Sequence, residues 1–269
     1  MPHHPPDAVA LPHPTEAELT SRLRAAGCVF AEDEARLLVA SGASPAALAV
    51  MVDQRVAGLP LEHILGWVDF CGLRLAVGPG VFVPRQRSAF LVECAASLTT
   101  AGATVLDLCC GCGALGAALA HEVGEVTLHA SDISGTAVDL ARRNLAAPGA
   151  QLYVGDLFDP LPVALRGTVD TLLCNTPYVP SSRVGTLPPE AREHEPLISL
   201  DGGWDGLELQ RRVAREAREW LVPGGHLLFE VGEDQEQDCV RLLGAAGFRA
   251  WSRTRPEIGA TVVVGRSPA

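Results

Sequence analysis

The chain contains no lysine: all 21 of its basic Lys/Arg positions are arginine, against 32 acidic residues, for a formal net charge of -11. Since arginine carries the same charge, the missing lysine reads as a coding bias. The acidic balance leaves no obvious phosphate-tracking surface and argues against a nucleic-acid substrate. Also missing is any apolar stretch approaching the length of a membrane span. The first residues (1–14) are rich in proline and histidine and lack a signal peptide's hydrophobic region. They read as a disordered leader, in preference to a metal-binding role for His3 and His4, and the chain is expected in the cytoplasm. Its eight cysteines follow no spacing of a secreted disulfide scaffold. Cys109 and Cys112 form a C-x-x-C, but no second pair supplies the other ligands of a structural zinc site. No metal is expected, and the thiols read as reduced and packed.

What is present suits a soluble protein: 269 residues, 48% hydrophobic and 20% charged, enough for one large domain and a small one. Thr15-Glu16-Ala17-Glu18 has the hydroxyl cap and early acids of a helix start, and Leu19, Leu23 and Ala26 recur at helical spacing. Further short helices are expected over 33–40 and 45–57. Together they make a small helical domain over 15–66, assigned to substrate recognition, in which Glu62 and His63 are read as structural. Two short apolar runs, 68–75 and 81–84, flank Gly78-Pro79-Gly80 and predict a hairpin linker over 67–84. From 85 to 269 strands and helices alternate, with strands expected at 104–109, 126–131, 151–154, 171–174 and 226–231. A last pair at 249–253 and 261–264 forms an antiparallel edge. This predicts an α/β, doubly wound, mostly parallel seven-stranded sheet of the Rossmann-like class.

The strand at 104–109 runs into Asp107-Leu108-Cys109-Cys110-Gly111-Cys112-Gly113 and then a helix. Its glycines permit a tight turn and close backbone approach to a ligand, a pattern that dinucleotide-binding sites share. The next strand ends at Asp132-Ile133, a carboxylate placed for a ribose diol, and the third leads to Gly155-Asp156-Leu157. There Asp156 suits an adenine amino group, and Leu157 the ring. Singly, each acid is equally well a cap or turn residue. Jointly, three acids at successive strand ends suit the cationic S-adenosylmethionine and would repel a pyrophosphate. The fourth strand delivers Asn175-Thr176-Pro177-Tyr178 to the same crevice. An Asn-x-Pro-Tyr loop can grip a planar nitrogen.

These motifs, with Gly58 to Gly66, Phe70-x-Gly72-Leu73, Val81 to Arg85, Glu195-Pro196, Gly202-Gly203-x-Asp205-Gly206-Leu207, Pro223-Gly224-Gly225 and Glu230-x-Gly232-x-x-Gln235, resemble the HemK/PrmC-type protein-glutamine methyltransferases. That family methylates the Gly-Gly-Gln amide of peptide-chain release factors. The resemblance covers nearly the whole chain beyond the leader. It implies that the Asn175 side chain and the Thr176 carbonyl hold the acceptor amide, while Pro177 and Tyr178 shape a flat slot. Phe82 and Arg85 are expected at the acceptor, with Phe82 stacking on the acceptor or the cofactor or, equally, packing between domains. An amide lone pair is delocalised, so two acceptors must hold its hydrogens while the nitrogen points at the methyl carbon.

The chain also departs from the family. Where Pro-Glu-Thr-Glu is usual after Pro-Arg, it has Gln86-Arg87-Ser88-Ala89; Asn-Pro-Pro-Tyr has become Asn-Thr-Pro-Tyr; and an arginine usual near the carboxyl end is absent around Gly259-Ala260-Thr261. It therefore resembles a divergent, paralogous member. Protein glutamine methylation is the first expectation, with a release factor or another protein as partner. The same chemistry on a small molecule's amide, amine or guanidine nitrogen is the alternative, in which Arg87 faces an acidic substrate. A catalytically silent binding protein is the third reading, against which Asp107, Asp132, Asp156 and Asn175 all weigh. Residues 180–205 show little periodicity and are expected to form a lid or a surface decoration.

Overall fold

Thr15 caps the first helix through its hydroxyl, which accepts from the Glu18 amide, while the Glu18 carboxylate accepts from the Thr15 amide at 2.8 Å. The computed structural model describes residues 14–147 and 149–269; all but Pro14 of the expected leader, with His3 and His4, falls outside them. One unit ends at Leu65. It contains α1 (Glu16–Ala25), α2 (Ala31–Ala40), α3 (Pro45–Val56) and the short α4 (Leu61–Leu65). Leu19, Leu23, Leu38, Leu48 and Val52 form its core. Glu34 on α2 takes two bonds from Arg55 on α3, at 2.6 and 3.0 Å, so this nearly buried charge is paired. His63 is buried in α4.

The second unit, from Gly66, begins with the hairpin β1 (Trp67–Phe70) and β2 (Leu73–Ala76). Its turn is Cys71-Gly72, not the expected Gly78-Pro79-Gly80, and Val81 to Pro84 is not a strand. Both turn residues have positive φ, +48° and +76°, the conformation whose twist matches two antiparallel strands. A cysteine where Asn or Asp is usual hid that turn. The prolines at 79 and 84 lack the N–H a ladder needs.

After α5 (Ala89–Ala96) the alternation runs through β3 (Thr104–Leu108), α6 (Ala114–Val123), β4 (Thr127–Asp132), α7 (Gly135–Asn144), β5 (Gln151–Val154) and β6 (Val169–Cys174). Two short helices follow, α8 (Ser181–Val184) and α9 (Pro189–His194), in the segment that showed no periodicity. Then come α10 (Glu208–Trp220), β7 (Leu221–Val231), α11 (Glu236–Ala245), β8 (Arg249–Arg255) and β9 (Ala260–Arg266). β7 begins five residues before the expected His226, its register against β6 slipping between Val169 and Thr171.

The seven strands lie in the order β5-β4-β3-β6-β7-β9-β8, all parallel except β9, which runs antiparallel to both of its neighbours. Side chains alternate across the sheet. Val105, Ala130, Leu173 and Leu228 enter one core with α5 and α6, while Leu106, Leu108, Leu172 and Phe229 enter the other with α10 and α11. The order reverses at β3, whose neighbours β4 and β6 lead away on opposite sides. Ligands of open α/β sheets bind at such a switch point, outside the strands' carboxyl ends.

Candidate active site

β3 and β6 are parallel neighbours with Leu108 opposite Cys174, so the glycine turn and the Asn175 loop leave the sheet side by side. A cavity of about 610 Å³ opens there, within the size range of small-molecule sites. Of the residues expected to hold a cofactor, Cys109, Cys110, Gly111, Cys112, Asp132, Ile133, Asp156, Leu157 and Asn175 line it. Thr176, Pro177, Tyr178, Phe82 and Arg85 line it too. Asp107 and Gly113 do not; they lie beneath the turn and build it.

Asp107 is fully buried, and its Oδ2 accepts the Gly116 amide of α6 at 2.8 Å. Its Oδ1 has no partner among the described residues. Burial, reinforced by the Asp132 charge and opposed by the Gly116 bond, pushes its carboxyl up to about 7. Gly113 caps α6 with φ +79°, and a Cβ there would meet Leu145 Cδ1 at 2.9 Å. Cys109 adopts φ +59°, a left-handed conformation that costs a non-glycine residue roughly 1–2 kcal/mol. Gly111, at φ +54°, has open space where a side chain would project.

Asp132 is held from both sides: Gly111 N–H donates to Oδ2 and Ser134 N–H to Oδ1, each at 2.9 Å. Its carboxyl is raised by burial, against these backbone bonds. The cap of α7 is the Ser134 hydroxyl rather than Asp132. Asp156 is paired with Arg212 of α10 at 2.7 Å. Leu157, at φ +47°, accepts the buried Ser131 hydroxyl through its carbonyl at 3.1 Å. Burial pushes the Cys110, Cys112 and Cys174 thiols upward, Cys112 to about 12. Among the described residues no group of three or more His, Cys, Asp or Glu is placed to hold a metal, and no helix is long and apolar enough to cross a membrane.

In the loop after β6, Asn175 Nδ2 donates to Ser88 Oγ at 3.4 Å. Tyr178 is locked through its backbone and its phenol. Gln235 Nε2 donates to its carbonyl at 2.9 Å, and its hydroxyl donates to Glu230 Oε1 at 2.9 Å. Gly206 leaves room for this packing, since a Cβ there would lie 2.3 Å from the Tyr178 carbonyl oxygen. Arg85 stacks over Phe82 at 4.6 Å and pairs with the buried Glu195, which also accepts the Val83 amide at 3.1 Å. Glu195 belongs to the 180–205 segment, from which Leu187, Pro188, Pro196 and Ile198 also line the cavity.

Reasoning from the sequence did not find Ser88, nor Asn144. The Asn144 amide accepts from Ala76 N and donates to the Ala76 and Cys112 carbonyls, tying the hairpin to the glycine turn. Neither carries a local signal. Glu195, Glu230 and Gln235 stood in motifs of the resemblance, but without an assigned partner.

Residues 73–186 match a family model described as Methyltransferase small domain. The crystal structure of a methyltransferase from Pyrococcus furiosus aligns with a TM-score of 0.56 at 16% identity, covering 74% of this chain and 90% of that one. The fold is thus that of the Rossmann-like class I methyltransferases, and family and fold together imply S-adenosylmethionine as methyl donor. The chain is 37% identical to the release factor glutamine methyltransferase of Geobacter sulfurreducens, over 74% of its own length and 69% of that protein's. It is 36% identical to a 4-amino-L-phenylalanine/4-methylamino-L-phenylalanine methyltransferase of Streptomyces pristinaespiralis, over 76% and 72%. The chain belongs to the HemK/PrmC-type glutamine methyltransferase family.

Proposed function

We propose that the chain methylates the side-chain amide nitrogen of a protein glutamine, of the Gly-Gly-Gln kind carried by release factors. The reading is carried by the state of Asn175. Its Nδ2 is occupied by Ser88, which leaves Oδ1 of a cavity-lining side chain with no donor among the described residues. The Thr176 carbonyl likewise accepts from no described group. Two free acceptors in consecutive residues match the two hydrogens of a primary amide, and they orient its nitrogen without needing a base. Proton loss follows readily, because a methylated amide nitrogen is strongly acidic.

The residues present fit S-adenosylmethionine. Gly111 offers backbone with open space beside it, Asp132 and Asp156 offer carboxylates, and Asp107 Oδ1, without a partner among the described residues, lies beneath the turn where negative potential suits a cationic ligand. When bound, the cofactor supplies an electrophilic methyl on a positively charged sulfur. Cys109, Gly111, Asp132, Asp156 and Leu157 would hold it; Asn175, Thr176, Pro177 and Tyr178 would hold and flatten the acceptor. Phe82, stacked under Arg85 in the cavity wall, would border the acceptor.

A second reading, transfer to the flat nitrogen of a small molecule, draws on Arg87 in the cavity wall and on the Streptomyces relative. The deciding experiment offers methyl-labelled cofactor with a release factor and, separately, with 4-amino-L-phenylalanine. Label in the Gly-Gly-Gln peptide, lost in Asn175→Ala while cofactor affinity persists, supports the first reading. Label only in the amino acid moves the assignment to the second.

A further inference from the structure

The Gln86-Arg87-Ser88 stretch, where this chain departs from the usual acidic run, folds as a single 3-10 turn beside the acceptor loop. It touches that loop at both ends. Ser88 meets Asn175, and Arg87, itself in the cavity wall, donates through Nη2 to the Tyr178 hydroxyl at 2.6 Å. The same guanidinium donates through Nε to Glu230 Oε1 at 3.2 Å, and Tyr178 donates to that oxygen at 2.9 Å. Arginine, phenol and carboxylate thus close a triangle in which every polar edge is a hydrogen bond.

From this triangle we infer that Arg87 is a positioning residue: it acts through Tyr178 to hold the acceptor loop in the conformation that grips the amide. Glu230 is only 3% exposed and its Oε2 has no partner among the described residues, so Arg87 is the cation among them that offsets this charge. The phenol is pinned between a donor and an acceptor, which removes its freedom to rotate out of the slot. Burial, then Glu230, raises the Tyr178 hydroxyl well above its ordinary value, so it stays protonated and remains the donor to Glu230. Glutamate at position 87 would set a second carboxylate against Glu230 and take away the donor to Tyr178. The turn's basic character therefore has an internal partner and does not require an acidic substrate.

The inference rests on the methyltransferase reading, and two measurements keep their failures apart. In steady-state methylation of a release factor, Arg87→Ala should lower kcat by about ten- to a hundredfold, with cofactor affinity by calorimetry unchanged. Tyr178→Phe should do the same, the double variant should be no slower than the worse single, and Arg87→Lys should recover part of the loss. Independent, multiplying effects, or a change confined to the acceptor KM, would overturn the inference. Should wild-type protein leave the release factor unmethylated, the second measurement still decides. The chain has two tyrosines, Tyr153 and Tyr178, so ring-labelled tyrosine NMR gives one line for each. Arg87→Ala should shift the Tyr178 line and leave that of Tyr153 in place. An unmoved Tyr178 line would overturn the brace regardless of the acceptor.

Discussion

The Ser88 hydroxyl lies 3.4 Å from the Asn175 amide nitrogen, joining residues 87 positions apart in the chain. That contact decides which end of the Asn175 side chain remains for a ligand. With Nδ2 engaged, the carbonyl end is left to accept, as required for holding an amide N–H. Removing the hydroxyl frees the Asn175 amide to rotate. Ser88→Ala is expected to lower kcat about fivefold, the worth of one hydrogen bond of roughly 1 kcal/mol. Initial-rate kinetics with calorimetry of cofactor binding will check it; a change in cofactor affinity instead of kcat would mean that Ser88 serves the other half of the cavity.

Gly111 tests the cofactor half. A methyl group there would enter the open space beside the turn, and the φ of +54° adds strain of roughly 1–2 kcal/mol. Gly111→Ala should weaken S-adenosylmethionine binding by at least about tenfold, since backbone could no longer approach the ligand. Titration calorimetry reads this directly. Equal affinity in the two proteins would place the cofactor elsewhere.

The buried Asp107 makes stability depend on pH. Its carboxyl rises from 3.8 to about 7 on folding, so its contribution is fully present below the unfolded value and is lost as pH climbs through 7. Asp107→Asn keeps a carbonyl for the Gly116 amide and removes the titration. Relative to wild type, the variant should therefore gain stability between pH 5.5 and pH 8, by an amount on the order of a few kcal/mol. Denaturant unfolding of both proteins at the two pH values, without cofactor, checks this. A stability difference that does not vary with pH would contradict it.

Thr176 stands where the family usually has proline, and its hydroxyl is buried with no partner among the described residues. An unpaired buried hydroxyl costs roughly 1–3 kcal/mol. Thr176→Val, which keeps the branched shape, is expected to stabilise the protein by about 1 kcal/mol and raise Tm by about 2–4 °C. The backbone carbonyl is untouched, so activity should persist. Thermal unfolding and a rate assay together test both halves; a lower Tm would show that the hydroxyl has a partner in solution.

Much of the fold was legible because its signals are local. The capping box at Thr15, the glycine turn after Leu108 and the apolar run into Asn175 each lie within a few residues. Such patterns set strand and helix positions by side-chain period and turn chemistry alone. Where the local signal was atypical the reading failed. Cys71 occupies a turn position at φ +48°, and the hairpin turns several residues before the expected Gly78-Pro79-Gly80.

The sequence by itself determined the alternating elements, the motifs at the strand ends and the family to which they belong. Only the tertiary structure decided the company each side chain keeps. It put Asp107 under the turn rather than in the cavity wall, paired Arg87 with Tyr178 and Glu230, and turned Asn175 toward Ser88. The physical reason is range. Periodicity and capping act over one or two turns of chain, whereas these partners meet only after the strand order is fixed, and strand order is a property of the assembled sheet.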